Sequence, residues 1–421
     1  MSRLVPLALA ITAVAFLAGC TTIEPLPTPT PTPTATESFA PTGDGVLRIG
    51  TLFAMTGDVS AIGPAMVAAV EVAVRDINAA GGVLGQPVEV FSRNSGDASE
   101  QLLESSFAAL VDRDVDVVIG PATPALTERL LPLAQAVGVT VITPAAIFPS
   151  SSAADPQGVL FRTIPSYDQQ AGAIVRSLAA DGAESVAVIT DGDAPGLAFG
   201  VAVRAALDRY DMQLTSINQL DARTTVARLA FSVTAAEPDA VIVATGAAVS
   251  ERTPGVLAAL LSRGVAPEQV WLTSNNLADY SATLETAALE GANGVGGSSV
   301  VSDELIARLV QSDPALRSFR YAPETYDAVV IAALAAVLAD DDSGASIARM
   351  LPLTATAGVP CASFGECIDV LTTEPAIDYD GLSGPLAFDA VGDLLAGEVG
   401  LYRYTAQNVA ERIGSLSIAD D

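Results

Sequence analysis

The 421-residue sequence contains no histidine, and it also contains no lysine, so all 20 basic residues are arginines. Histidine-based triads, histidine-ligated metals, Schiff-base and P-loop lysines, and Ser-x-x-Lys nucleophiles are therefore excluded. Acid–base chemistry by two carboxylates needs neither residue type, so a carboxylate-dependent hydrolase stays open. The composition as a whole argues against an enzyme and indicates neither a cofactor nor a metal.

Cysteine is also scarce, with three in the whole chain. Cys361 and Cys367 have five residues between them. In an oxidising compartment this spacing predicts a local disulfide, which should stabilise the fold by about 2–2.5 kcal/mol on the chain-entropy argument. A redox-active pair would instead favour the Cys-x-x-Cys spacing.

The chain begins with Met1-Ser2-Arg3 and an apolar run over residues 4–16, followed by Leu17-Ala18-Gly19-Cys20. The run is shorter than the roughly 20 residues that span a bilayer. A positive start, a short apolar segment and small residues are typical of a secretory signal peptide. The last four residues resemble the bacterial lipobox, which implies cleavage before Cys20 and lipidation of its thiol. An ordinary signal peptide cleaved nearby, with Cys20 uninvolved, is the alternative.

Positive charge is in short supply, since 49 acidic residues face 20 basic ones. Such a surface repels nucleic acid and anionic lipid head groups, so neither is an expected partner. Residues 20–43 alternate proline with threonine and lack an apolar pattern. They predict an extended polyproline-type linker after the lipidated cysteine.

From residue 46 onward, short β-branched runs alternate with longer amphipathic ones. Strands are predicted over residues 47–53, 88–92, 115–119 and 139–143, and again over 185–190, 213–218, 239–244 and 270–273. Helices are predicted over 64–80, 99–113, 124–137, 196–209, 223–236, 254–264 and 323–338, and a late strand pair over 384–388 and 400–404. In the first helix Met66, Val70, Ala73 and Ile77 share one face. Two alternating sets predict an α/β fold with two doubly wound parallel-sheet lobes.

An ordered set of short motifs carries a resemblance to a known family. The motifs include Thr56-Gly57, Asp76–Gly85, Val118–Pro121, Phe161-Arg162-Thr163 and Gly381–Pro385. Together they resemble the extracellular solute-binding proteins of ABC importers of the branched-chain amino-acid (Leu/Ile/Val-binding) type. The resemblance implies the type I periplasmic binding protein fold, in which three crossover strands join two lobes that close on a ligand. Parallel sheets also place ligands at the carboxyl ends of their strands.

The resemblance gives a division of the chain. Residues 1–19 form the signal peptide and residues 20–43 the lipidated cysteine and linker. The N-terminal lobe comprises residues 44–164 plus 298–396, and the C-terminal lobe comprises residues 165–297 plus 397–421.

The resemblance also implies the ligand site, formed by loops after Gly120, after Pro144 and after the strand at 270–273. The family's serine, threonine, acidic and aromatic positions fall here on Pro124, Ile147, Asn275 and Ile62. Proline offers no N–H, and an amide cannot pair with an ammonium charge. We therefore expect a small solute such as an amino acid, an amide or a related molecule, and not a standard α-amino acid held in the usual way. The substitutions are consistent with a neutral or more apolar solute, or with shifted contacts. The predicted ligand-binding residues are Ile62, Gly63, Thr123, Pro124, Ala145, Ala146, Ile147, Asn275 and Asn276.

Two features have alternative interpretations. Thr123 is either a helix N-cap or a hydroxyl that contacts the ligand. Asp191 and Asp193 either meet a cationic ligand or form a solvated turn.

The function predicted on this basis is a substrate-binding lipoprotein of an ABC importer that captures a small solute. Its expected partners are that solute and the permease subunits, and it is expected to be a monomer without a cofactor. Lipid would anchor it to the extracytoplasmic face of the bacterial cell membrane. The alternative is a membrane-tethered sensor of the same fold, and a carboxylate-based surface hydrolase is the third hypothesis.

Overall fold

A computed structural model describes residues 42–57, 59–148, 155, 157–245, 252–297, 301–356 and 358–419. The signal peptide, Cys20 and nearly all of the linker lie outside the described residues. Lipidation of Cys20 therefore stays a prediction.

The first sheet has five parallel strands in the order β2-β1-β3-β4-β5. The helices α1 to α3 connect its successive strands, so the pattern is doubly wound. The elements are β1 (Arg48–Phe53), α1 (Gly63–Ala79), β2 (Glu89–Asn94), α2 (Leu102–Val111), β3 (Val117–Ile119), α3 (Pro124–Val137), β4 (Thr140–Thr143) and β5 (Leu160–Arg162).

Helix α1 shows why the amphipathic pattern was informative. The side chains of Met66, Val70, Ala73 and Ile77 are all buried, as their shared face predicts. Pro64 lies in the first turn, where its missing N–H costs no hydrogen bond. The helix that follows β3 begins after Thr123 and ends at Gly138, whose φ of 74° suits glycine.

The second sheet has seven strands in the order β15-β14-β10-β9-β8-β6-β7. The five strands β6 to β10 run parallel to one another, whereas β14 is antiparallel to both β10 and β15. Its elements are α4 (Tyr167–Ala180), β6 (Ser185–Thr190), α5 (Ala194–Arg209), β7 (Gln213–Gln219), α6 (Val226–Thr234), β8 (Ala240–Ala244), α7 (Thr253–Ser262), β9 (Val270–Leu272), β10 (Asn293–Gly296), β14 (Glu398–Tyr404) and β15 (Ala410–Ser417).

The segment between β10 and β14 returns to the first sheet. It contains α8 (Asp303–Ser312), α9 (Ala322–Ala339), α10 (Gly344–Met350), α11 (Phe364–Leu371) and a small sheet of β11 (Val359–Cys361), β12 (Ile377–Gly381) and β13 (Gly384–Pro385). The predicted disulfide is present between Cys361 and Cys367. Helix α9 is long and apolar enough to cross a membrane, but its side chains are mostly buried against α1, as in a core helix.

The predicted pairing of late strands at 384–388 and 400–404 is wrong. Strand β13 pairs with β12 in the small sheet, and β14 pairs with β10 and β15 in the second sheet. Local sequence indicates that both segments are extended, but the pairing depends on contacts with distant residues, which a single sequence does not specify.

We call the five-stranded sheet with α1–α3 and α8–α11 lobe 1, and the seven-stranded sheet with α4–α7 lobe 2. The chain passes between the two lobes after β5, after β10 and before β14. The first and third passages are joined by buried groups, because Arg162 Nε donates to Asp393 Oδ1 over 2.6 Å and Arg162 N donates to Gly392 O over 3.0 Å. The predicted fold class is confirmed, while the residue boundaries assigned to each lobe stay a prediction.

Candidate functional site: the cleft between the lobes

A cavity of about 350 Å³ lies between the two lobes. Lobe 1 contributes the loops that follow β1 to β4, and lobe 2 contributes the ends of β6, β8 and β9. The cavity therefore lies at the carboxyl ends of parallel strands from both sheets, where such folds bind ligands. Its lining residues are Val59, Ala61, Ile62, Asp97, Ala98, Ala122, Thr123, Pro124, Ala125, Ala145, Ile147, Tyr167, Asp191, Asp193, Pro195, Gly196, Ala244, Asn275, Arg320 and Tyr321.

The wall that the β1–β4 loops form is largely apolar, with Ile62, Pro124, Ala145 and Ile147 as its main members. Its polar members are Asp97, in the loop after β2, and Thr123, at the start of α3.

Thr123 has an unusual environment. It occupies the N-cap position, yet its side chain makes no capping hydrogen bond. Its Oγ1 is buried without a hydrogen-bond partner among the described residues. A ligand in the cavity could supply the missing partner. Without one, a buried hydroxyl that makes no hydrogen bond lowers the stability of the protein.

The wall that lobe 2 forms is polar. Tyr167 stands at the first turn of α4 and its Oη accepts a hydrogen bond of 3.4 Å from Asn275 Nδ2. Burial, and then the charges of Asp193 and Asp191, raise the pKa of Tyr167, so its phenol stays protonated. Asp193 caps α5, because its Oδ1 accepts a hydrogen bond of 2.9 Å from Gly196 N.

Arg320 and Tyr321 reach the cavity from the segment before α9. Arg320 Nη2 donates to Ser274 O over 3.0 Å and to Tyr321 Oη over 3.1 Å. Since Ser274 follows β9 of the other lobe, this guanidinium bridges the two walls. Tyr321 has a φ of 62°, which is unusual for a residue other than glycine and concentrates at functional sites.

The structure brings six of the nine predicted ligand residues to the cavity, namely Ile62, Thr123, Pro124, Ala145, Ile147 and Asn275. Gly63, Ala146 and Asn276 are not among the lining residues.

Each of these three residues has a packing or hydrogen-bonding role behind the wall. A Cβ on Gly63 would lie 2.2 Å from Ala54 O, so glycine allows α1 to approach β1 closely. Ala146 is fully buried in the core of lobe 1. The Asn276 side chain is bound to Thr245, whose N donates to Asn276 Oδ1 over 2.9 Å and whose Oγ1 accepts from Nδ2 over 2.6 Å.

The sequence reasoning missed four lining residues with polar side chains: Asp97, Tyr167, Arg320 and Tyr321. A local signal existed for Tyr167. Ser166 and Gln169 form a capping box in which each side chain bonds the other residue's backbone N–H. Such a pair predicts a helix start directly after the first passage between lobes, which would have placed Tyr167 at the cleft. No comparable local pattern marks Arg320.

Comparison with known proteins identifies the family of this chain. A family profile described as "Periplasmic binding protein" matches residues 46–360. The Leu/Ile/Val-binding protein BraC3 of Rhizobium johnstonii is 31% identical over 173 residues, which is 41% of this chain and 46% of that protein. The match thus spans less than half the length of that relative. The chemotactic signal transduction substrate-binding protein BasB of Halobacterium salinarum is 24% identical over 83% of this chain and 85% of its own.

Solved structures agree at the level of the fold. The substrate-binding protein LivJ of Streptococcus pneumoniae, in complex with isoleucine, superposes with a TM-score of 0.66 at 19% identity, covering 88% of this chain and 99% of its own. A solute-binding protein of Rhodopseudomonas palustris in complex with 4-hydroxybenzoate gives a TM-score of 0.68 at 14% identity, covering 88% and 97%. Since the family profile covers most of the chain and the topology agrees with it, the chain belongs to the type I periplasmic binding protein family.

Proposed function

We propose that the protein is the substrate-binding lipoprotein of an ABC importer of the branched-chain amino-acid type. It captures a small solute between its lobes and presents the closed form to the permease. The observation that carries this proposal is the cavity of about 350 Å³ lined from both lobes. A ligand that contacts both walls binds the closed form better than the open one, which is the condition for ligand-driven closure.

The bound solute is not a standard α-amino acid held in the family's usual way. Pro124, Ile147 and Asn275 all line the cavity, so the departures noted in the sequence lie where a ligand would be. They remove one N–H, two hydroxyls and one carboxylate from the expected contacts. The structural relatives in complex with isoleucine and with 4-hydroxybenzoate indicate that this fold accommodates chemically different solutes.

The test is a thermal-shift screen followed by calorimetry on the mature protein, using amino acids, amides, urea, aromatic acids and sugars. A ligand at a hundredfold excess over Kd should raise the unfolding free energy by about 2.7 kcal/mol. Ile62→Trp fills the cavity and should abolish the shift. Leu353→Trp, at an exposed position outside the cavity, is the matched control and should leave it unchanged. Catalytic turnover of a panel member, or binding that survives Ile62→Trp, would contradict the proposal.

Anchoring through Cys20 at the extracytoplasmic face of the membrane is part of the same proposal. Cys20→Ala should move the protein from the membrane fraction to the soluble fraction. A variant that stays with the membrane would count against lipidation.

A ligand sensor that signals through a partner is the second candidate. It is favoured by the similarity to BasB, a chemotactic substrate-binding protein, over most of both chains. Deleting the gene separates the two roles. Loss of solute uptake indicates an importer, whereas a lost behavioural response with normal uptake indicates a sensor.

A further inference from the structure

Tyr167 and Asn275 form a hydrogen-bonded pair on the lobe 2 wall of the cavity. Tyr167 begins α4 and Asn275 follows β9, and both residues line the cavity. Asn275 Nδ2 donates to Tyr167 Oη over 3.4 Å, and among the described residues this is the one hydrogen bond that either side chain makes. The pair therefore has hydrogen-bonding capacity left for a molecule in the cavity.

Packing, and not this hydrogen bond, holds the tyrosine ring in place. Tyr167 is 7% exposed, and its ring stands edge-on to that of Phe199, with the ring centroids 5.3 Å apart. The Tyr167 backbone N donates to Phe148 O over 3.3 Å, which fixes the start of α4. Asn275 is exposed, so its amide depends on the tyrosine hydroxyl for its orientation. Tyr167 is therefore both a cavity residue and the group that positions Asn275.

The pair presents one hydrogen-bond donor and one acceptor side by side. While Asn275 Nδ2 donates to Tyr167, the phenol O–H is available to donate and Asn275 Oδ1 is available to accept. A flipped amide exchanges these roles, because the phenol then donates to Oδ1 and leaves the NH₂ group as the donor and the phenol oxygen as the acceptor. Both orientations of the amide thus offer the same pattern to a ligand.

A primary carboxamide matches this pattern, because it carries an N–H donor and a C=O acceptor on the same carbon. An ammonium group can only donate and a carboxylate can only accept, so each leaves one half of the pair without a partner. The nearby charges also count against a carboxylate at the phenol. After burial, the charges of Asp193 and Asp191 raise the pKa of Tyr167, so its hydroxyl lies in a field that repels an anion.

Resting on the proposed solute-binding function, we infer that the solute is a small amide whose carboxamide group is bound by Tyr167 and Asn275. The carboxamide N–H donates to the pair and its carbonyl accepts from it. The hydrocarbon part of the solute packs on the apolar wall of Ile62, Pro124 and Ile147. The side chain at position 275, where an acidic residue would bind an ammonium group, binds a neutral group instead.

A set of probes with the same hydrocarbon chain tests the recognised group directly. The probes are pentanamide, methyl pentanoate, pentanoate and pentylammonium, measured by calorimetry on the mature protein. We expect pentanamide to bind most tightly. Methyl pentanoate keeps the carbonyl and lacks the N–H, so it should bind about fivefold more weakly, the factor that one neutral hydrogen bond is worth. Pentanoate and pentylammonium should bind more weakly still, because each also brings a charge that the pair does not neutralise.

Two substitutions test the two members of the pair. Tyr167→Phe keeps the ring packed on Phe199 and removes the hydroxyl, so it should weaken the binding of pentanamide about fivefold or more. Asn275→Asp replaces the amide with a carboxylate and should reverse the preference, so that pentylammonium binds more tightly than pentanamide. A merely structural role of Asn275 predicts no such reversal. Tyr210→Phe and Gln213→Glu make the same chemical changes at exposed positions outside the cavity and should leave all four affinities unchanged.

The possible results separate this inference from the function on which it rests. Binding of pentanoate or pentylammonium as tightly as pentanamide, or an Asn275→Asp effect of equal size on all probes, overturns the carboxamide ligand. It is also overturned if the solute that binds most tightly in the wider screen lacks a carboxamide or urea group. The solute-binding proposal then stands if Ile62→Trp abolishes that binding. Absence of binding by every probe and every screened solute, in protein that is folded by circular dichroism, overturns both.

Discussion

Two buried polar sites in this protein differ in how their hydrogen bonds are satisfied. In the interior of lobe 1, the carboxylate of Asp327 on α9 accepts hydrogen bonds from Tyr379 Oη at 2.7 Å, Leu382 N at 2.9 Å, and Ser383 N and Oγ at 2.6 and 2.5 Å. Burial raises the pKa of Asp327, and the four hydrogen bonds oppose that shift. In the cleft, Thr123 Oγ1 has no such partner.

We infer from the difference that Asp327 stabilises the fold and that Thr123, which lines the cavity, is available to a ligand. An unpaired Oγ1 alone does not mark a ligand site, because among the described residues the Oγ1 of Thr51 is also buried without a partner and Thr51 does not line the cavity. A buried polar group in a stable core is hydrogen-bonded, because leaving it unpaired costs about 1–3 kcal/mol. Thr123 lines the cavity, whereas Asp327, whose carboxylate is fully hydrogen-bonded, is not among the lining residues. Removing a group such as the Asp327 carboxylate should lower the unfolding free energy, whereas removing the Thr123 hydroxyl should change ligand binding alone.

The largest expected effect concerns the buried pair that joins two passages between the lobes. Arg162→Met leaves Asp393 buried without its guanidinium and should lower the unfolding free energy by about 3–5 kcal/mol. Urea unfolding measures this loss. Arg204→Met, at an exposed position on α5, is the matched control and should change it by less than about 0.5 kcal/mol. Equal stabilities of the two variants would show that the pair contributes little.

A smaller loss is expected at Asp327. In the natural protein, four donors contact the two carboxylate oxygens of Asp327. In Asp327→Asn one of those oxygens is replaced by an NH₂ group, so at least one donor loses its acceptor. We expect a decrease of about 2–3 kcal/mol in the unfolding free energy, again by urea unfolding. Asp208→Asn, at an exposed position on α5, should be neutral by the same measurement. A neutral Asp327→Asn would mean that surrounding groups rearrange to accept the amide.

The effect expected at Asp116 is intermediate in size, because this residue is only partly buried. Its Oδ2 accepts one hydrogen bond of 2.8 Å from Arg48 N. Burial raises the pKa of Asp116 to about 7, with Asp342 and Asp44 adding to the rise and Arg48 opposing it. An unfolded aspartate titrates near about 3.9, so the folded protein binds this proton more tightly than the unfolded chain does. The stability that this group contributes is therefore full at acid pH and is lost as the pH rises through about 7.

Asp116→Asn should remove that dependence. Between about pH 4 and pH 8, the difference in unfolding free energy between the variant and the natural protein should change by about 1–2 kcal/mol, in favour of the variant at high pH. Unfolding curves at a series of pH values measure it. A constant difference across the range would show that Asp116 titrates normally.

The smallest effect on folding is expected in the cleft. Thr123→Val keeps the side-chain shape and removes an unpaired hydroxyl, so the unfolding free energy should stay within about 0.5 kcal/mol. Affinity for the identified solute should nevertheless fall severalfold in calorimetry. Thr127→Val is the contrasting variant, because Thr127 Oγ1 donates to Thr123 O over 2.9 Å outside the cavity. It should lower the unfolding free energy and leave the affinity for the solute unchanged. Strong destabilisation by Thr123→Val would remove the basis of the comparison.

The sequence was sufficient for many of the regular elements, although α4, α8, α10 and α11 were not among the predicted helices. Predicted helix 124–137 and strand 185–190 have the same bounds in the structure, because proline, glycine and apolar periodicity act over a few residues. Pairing over long distances was not accessible, and β13 and β14 consequently have different partners from those expected.

The residues of the candidate site fall into the same two groups, those that local sequence predicts and those that depend on distant contacts. Residues near recognisable loops, such as Pro124 and Ile147, were placed at the cavity, whereas Arg320 was not. Arg320 reaches the cleft because Tyr321 adopts a left-handed backbone before α9 and because Ser274 of the other lobe is close. Neither the conformation nor the proximity leaves a local pattern in the sequence.

The hydrogen bond from Arg320 to the Ser274 carbonyl has a kinetic consequence. Its donor and acceptor belong to opposite halves of the molecule, so the halves cannot swing apart while it is intact. A trapped molecule then leaves only after this bond has broken, and its residence time includes the lifetime of that bond.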